Sequence, residues 1–98
     1  MSVYLVVDID VQDPDQYMQY VAQAPDFIRK HGGKYLVRGG DAEVVEGNWC
    51  PTRFVIVEFP TREQAQAFIE DGDYQAIADV RRAATQSNLI LVEGFGDN

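Results

Sequence analysis

Apolar and polar positions along the chain switch period several times, and each switch marks an element. From Val3 to Asp10 the pattern alternates. Val3, Leu5, Val7 and Ile9 fall on one side of an extended strand, and Tyr4, Val6, Asp8 and Asp10 on the other. The first side is wholly apolar and the second is apolar until it reaches the two acids, so cover is expected on both sides. Asp13-Pro14-Asp15-Gln16 then opens a helix, with Asp13 as N-cap, Pro14 in the first turn and Gln16 at capping-box spacing. Tyr17, Tyr20, Val21, Ala24, Phe27 or Ile28, and His31 recur at helical spacing and predict one buried stripe. Pro25 inside it predicts a kink, or a break into two short helices. Arg29, Lys30 and Gly32 suit the helix end.

Lys34 to Arg38 returns to period two, with Tyr35 and Val37 opposite Leu36 and Arg38. Gly39-Gly40-Asp41 stops it, Ala42 to Glu46 reads as an extended arm ending at Gly47-Asn48, and Trp49-Cys50-Pro51 leads into a third strand, Arg53 to Phe59. Thr61 to Gln64 has capping-box spacing again. Ala65, Phe68 and Ile69 form the stripe of a short helix. Asp71-Gly72-Asp73 interrupts it, and Tyr74, Ile77, Ala78 and Arg81 share a face of the next helix. Leu89 to Gly94 is the last strand, with Leu89, Leu91 and Glu93 opposite Ile90 and Val92. Phe95 to Asn98 reads as a loose tail.

The order is β-α-β-β-α-β, an α+β arrangement. Right-handed crossovers put the helices on one face of a four-stranded antiparallel sheet. Taking Tyr4, Val6, Leu36, Phe54, Ile56, Leu89 and Leu91 as the opposite face leaves an apolar patch, and such a patch marks an interface. The expected partner is a second copy, giving a homodimer through the sheet face. Asp8, Arg38, Glu58 and Glu93 fall on that same face, where ionisable groups must be paired, hydrated or shifted in pKa.

Composition narrows the function classes. Ninety-eight residues make one domain, residues 1–98. A net charge of −8 argues against nucleic acid and anionic membrane surfaces, which need a basic footprint. No apolar run approaches the ~20 residues of a membrane span. The start MSVYLVVDIDVQ lacks the basic opening and cleavage site of a signal peptide. A single Cys allows no internal disulfide, so a cytoplasmic location is expected. Cys50 with one distant His is a poor nucleophile signature and reads as a packed or tolerated thiol.

Nearly the whole chain carries a joint pattern. Paired glycines stand in HGGKYLVRGG, followed by Glu46-Gly47, Trp49-x-Pro51-x-Arg53, Glu58-Phe59-Pro60, Tyr74-Gln75, Arg81 and Glu93-Gly94. On these residues the chain resembles the bacterial family called domain of unknown function 1330. It departs where such proteins often carry an aromatic pair and a Ser-Pro step before the Tyr, having Phe68-Ile69-Glu70-Asp71-Gly72-Asp73 instead. The resemblance implies the dimeric α/β-barrel version of the ferredoxin-like fold. That superfamily includes cofactor-free monooxygenases, muconolactone isomerases, haem-dependent enzymes and non-catalytic members, so the fold does not select a reaction.

Candidate chemistry follows from residue types. His31, Asp8 and Glu58 are candidate bases. Arg38, Trp49, Arg53, Tyr74, Arg81 and Glu93 are candidates for holding a substrate in a pocket between sheet and helices. Each has a bland alternative. His31 caps or packs at a helix end. Trp49 anchors the arm on the body or on the partner. Arg53 pairs with an acid across the strands. Tyr74 and Arg81, two turns apart, suit a buried hydroxyl with a snorkelling Arg, and equally an anion site facing the pocket. The acids with Arg38 suit a structural ion-pair network. The glycine pairs lack the phosphate-loop pattern and read as turns with positive φ. One His without companions gives no metal or haem site, and no cofactor is expected. Three readings result: a cofactor-independent oxygenase- or isomerase-type enzyme acting on a small aromatic or carbonyl compound, a non-catalytic small-ligand binding module, or a structural homodimer.

Overall fold

The computed structural model describes residues 2–96. Asp97 and Asn98 of the expected loose tail lie outside the described residues. The elements are β1 (Val3–Val11), α1 (Pro14–Lys30), β2 (Lys34–Arg38), β3 (Arg53–Phe59), α2 (Arg62–Glu70), α3 (Gly72–Ala84) and β4 (Thr85–Glu93). The strands form one sheet in the order β2-β3-β1-β4 with every neighbouring pair antiparallel. This is the α+β, ferredoxin-like arrangement that the order of elements predicts.

The helix starts are set by local chemistry. The Asp13 carboxylate accepts from the Gln16 amide at 3.1 Å, and the Thr61 hydroxyl accepts from the Gln64 amide at 3.1 Å. Asp71 ends α2 and caps α3, accepting from the amides of Asp73 and Tyr74. α1 runs through Pro25 without a break. A proline removes one backbone hydrogen bond, but Ala24 and Ile28 on either side of it are buried in the core, and that packing holds the helix across the gap.

The core lies between helices and sheet. Val3, Leu5, Val7 and Ile9 of β1 and Val55, Val57 and Phe59 of β3 meet Tyr17, Ile28, Ala65, Phe68, Tyr74 and Ala78. Gly33 is required by this packing, because a Cβ there would stand 2.7 Å from the Phe59 ring and 2.9 Å from Ile28. The bare face of the sheet carries Tyr4, Val6, Phe54 and Ile56, as expected, and also Ile90 and Val92.

Two face assignments are corrected. β4 begins four residues earlier than expected, at Thr85. Its pairing with β1 sets Leu91 opposite Leu5, Leu89 opposite Val7 and Glu93 opposite Val3. Leu89, Leu91 and Glu93 therefore belong to the helix side of the sheet. Both parities of this strand are apolar, so its own pattern does not distinguish the faces. In β2 the register shifts between Tyr35 and Val37, leaving Leu36 as the bulged residue. The bulge sets Val37 opposite Ile56 on the bare face and Arg38 opposite Val55 on the helix side. Of the four ionisable residues assigned to the bare face, Asp8 and Glu58 stay there, while Arg38 and Glu93 do not.

Candidate ligand-binding cleft

α2 and α3 do not cover the sheet out to its β4 edge. The gap is a cleft of about 510 Å3. Leu89 and Leu91 of β4 form one wall, and Phe68, Tyr74 and Arg81 form the other. Adjoining it is a small cavity of about 30 Å3, which shares Leu5, Phe68, Tyr74 and Leu89 with the cleft and adds Tyr17 and Tyr20 from α1.

Helical spacing aligns the polar groups. Tyr17 and Tyr20 are three residues apart on α1 and their rings stack at 5.9 Å. The Tyr20 and Tyr74 hydroxyls lie 2.8 Å apart in a hydrogen bond. The Arg81 guanidinium sits 5.7 Å from the centre of the Tyr20 ring. Burial first, and Tyr74 next, push the Tyr20 phenol far above its ordinary value of 10. Tyr20 therefore keeps its proton and does not serve as a base, and either hydroxyl of the pair can be the donor.

Arg81 is 6% exposed, yet its Nε has no hydrogen-bond partner among the described residues. Its neighbour Arg82, also at the cleft, donates to Asp79 at 2.8 Å and to the Gln75 side chain at 2.6 Å.

The other expected site residues lie elsewhere. The His31 Nε2 is 2.8 Å from Asp71, which Lys30 also reaches at 2.9 Å. These contacts clamp the end of α1 to the start of α3. Asp8, on the bare face, accepts from the Trp49 indole at 3.1 Å, and the Trp49 ring meets Phe54 edge-on at 5.7 Å. This anchors the arm on the sheet. Glu58 lies on the same face, 3.5 Å from the Tyr4 hydroxyl and 3.7 Å from Lys34 Nζ. Arg38 stacks on Tyr35 at 4.7 Å. Glu93 is exposed at the end of β4.

Arg53 donates from Nε to the Tyr17 hydroxyl at 3.0 Å, so the cross-strand acid expected for it is replaced by a phenol. Its residue opposite on β1 is Ile9. Gly39, with φ +72°, makes room for it: a Cβ there would come within 2.9 Å of the Arg53 Cζ. Of the nine expected residues, only Tyr74 and Arg81 line the cleft. Tyr20 was legible only as a member of the buried stripe. Among the described residues no three His, Cys, Asp or Glu converge as metal ligands, and no helix is long and apolar enough to cross a membrane.

The model of the family "Domain of unknown function (DUF1330)" matches residues 2–95. The chain belongs to the DUF1330 family. No curated protein matches it. Solved structures share the fold of this DUF1330 domain at low identity. A protein of unknown function from Rhodopseudomonas palustris superposes with a TM-score of 0.81 at 18% identity, covering 97% of this chain and 83% of that one. SnoaB, a cofactor-independent oxygenase from Streptomyces nogalater, gives 0.67 at 14%, covering 97% and 94%. A dimeric ferredoxin-like protein of unknown function from Jannaschia sp. CCS1 gives 0.69 at 12%, covering 96% and 100%. At these identities the likeness to the DUF1330 chain is one of fold.

Proposed function

We propose that this DUF1330 protein is a homodimeric small-molecule-binding protein whose ligand, a small aromatic or carbonyl compound, enters the cleft between β4 and the helices α2 and α3. The observation that carries this reading is the cleft itself. It is open to solvent, large enough for a compound of one or two rings, walled by leucines and Phe68, and continuous in its lining with the tyrosine-lined interior. The homodimer rests on the bare sheet face, where Ile90 is 58% exposed beside Val6, Phe54 and Ile56. An apolar sheet face of this extent needs cover, and the Jannaschia relative in fold is dimeric.

A second reading, turnover of the bound compound by a cofactor-independent oxygenase- or isomerase-type reaction, draws on the fold shared with SnoaB. Against it stands the lining of the cleft. His31, Asp8 and Glu58, the candidate bases, all lie outside it, so the ligand would have to ionise with help only from donors. Binding is therefore the reading favoured.

The test is a thermal-shift screen against phenols, quinols, lactones and aromatic acids, followed by mass spectrometry after aerobic incubation. At least one compound should raise the melting temperature of the wild type and lose that effect in Leu89→Trp, whose added ring fills the cleft. A hit recovered unchanged supports binding, and a hit recovered oxidised or isomerised replaces it with the enzyme reading. Absence of any stabilising compound, or a hit indifferent to Leu89→Trp, overturns the site.

A further inference from the structure

Arg81 is a buried cation that no carboxylate among the described residues neutralises. The ion pairs among the described residues join Arg29 to Asp26, Lys30 and His31 to Asp71, Lys34 to Glu58, and Arg82 to Asp79. None includes Arg81. The Tyr20 ring at 5.7 Å offers its face to the guanidinium, which stabilises the charge but takes up no N–H. A buried charge without a partner is destabilising, and a guanidinium is a planar fork of donors matched to a carboxylate.

The tyrosine pair adds a donor. When one hydroxyl of Tyr20 and Tyr74 donates to the other, the acceptor keeps a hydrogen of its own to give. Tyr74 lines the cleft together with Arg81, so with Tyr20 as the donor of the pair the Tyr74 hydrogen is the one free to be given to a ligand there.

We infer that the ligand of this cleft is a monocarboxylate on an aromatic or branched aliphatic body, its carboxylate held by Arg81 with Tyr74 and its body against Leu89, Leu91 and Phe68. A single negative charge follows from the surroundings. Arg82 at the cleft is already committed to Asp79 and Gln75, and the chain carries a net charge of −8. A second charge on the ligand would meet no free cation there and would be repelled by the protein as a whole. This inference rests on the cleft being a ligand site, and it names what that site selects.

Calorimetry with benzoate, its neutral isostere benzamide and the dianion phthalate tests it. Benzoate should bind the wild type at least about tenfold more tightly than either, as expected for a charge-assisted hydrogen bond. In Arg81→Met benzoate and benzamide should bind alike, and the unliganded variant should melt no lower than the wild type, because the substitution removes an unpaired buried charge. Should Arg81→Met fail to fold, the Arg Nε–H resonances of the wild type decide the matter: one should move with benzoate and stay in place with benzamide. Equal binding of benzoate and benzamide to the wild type overturns the inference and leaves the cleft a neutral-ligand site. Failure of benzoate while a neutral phenol or lactone stabilises the protein does the same. Failure of every compound, charged or neutral, overturns the cleft as well.

Discussion

On the helix side of the sheet, Val3, Leu5, Val7, Ile9, Val55, Val57 and Phe59 are sealed beneath aromatic rings. Among the polar groups there, Tyr17, Tyr20, Tyr74, Arg53 and Arg81 are held by rings and hydroxyls rather than by carboxylates. On the bare side, apolar residues are only partly hidden, and the polar groups are conventional: Asp8 with Trp49, Glu58 with Tyr4 and Lys34. The difference separates two tasks. Where carboxylates accompany the cations, the charges satisfy one another and the face is left to be covered. Where arginines meet only phenols, donors outnumber acceptors, and the proposed carboxylate site rests on that imbalance.

The comparison breaks most visibly through the core. Phe68 is 1% exposed and packs on Tyr74 at 4.1 Å and Phe59 at 5.4 Å. Phe68→Ala should cost ~3–5 kcal/mol in denaturant unfolding, whereas Phe54→Ala on the bare face should cost about 1 kcal/mol or less in the monomer. Equal losses would mean that both faces are packed alike.

A charge on the bare face comes next. Ile90→Asp should turn a sedimenting dimer into a folded monomer, since a carboxylate at the middle of an apolar interface cannot be hydrated. A variant that remains dimeric would move the interface off this face.

The smallest effect concerns the clamp between the helices. His31 first and Lys30 second hold the Asp71 carboxyl well below its ordinary value of 3.8, against the opposing effect of desolvation. A carboxyl lowered in the folded state adds stability that is present above its ordinary value and lost as pH falls below it. The wild type should therefore lose melting temperature below about pH 4. Asp71→Asn, less stable at neutral pH, should show a shallower acid slope. Parallel slopes in the two proteins would remove Asp71 from the acid response.

Much of this was legible in the chain. The alternation of β1 has one polar-bearing face and one wholly apolar face, so it orients itself. Asp13 and Thr61 announce their helices through chemistry confined to four residues. β4 carries leucines on one parity and Ile90 with Val92 on the other, so only its pairing with β1 shows which parity faces the helices. The bulge at Leu36 likewise exists only between two strands, and it alone decides the side on which Arg38 lies. Arg81 could be named from its place two turns from Tyr74, but its isolation depends on which acids are absent around it. That is a property of the folded neighbourhood and leaves no mark in a one-dimensional pattern.

β4 serves both faces with a single backbone. Leu89 and Leu91 wall the cleft, and Ile90 and Val92, between and beyond them, lie on the surface where a second copy would rest. Neighbouring residues of a strand cannot translate independently, since consecutive Cα atoms are fixed about 3.8 Å apart. The strand is thus one body shared by two surfaces: contact at Ile90 and occupancy at Leu89 and Leu91 bear on the same stretch of backbone.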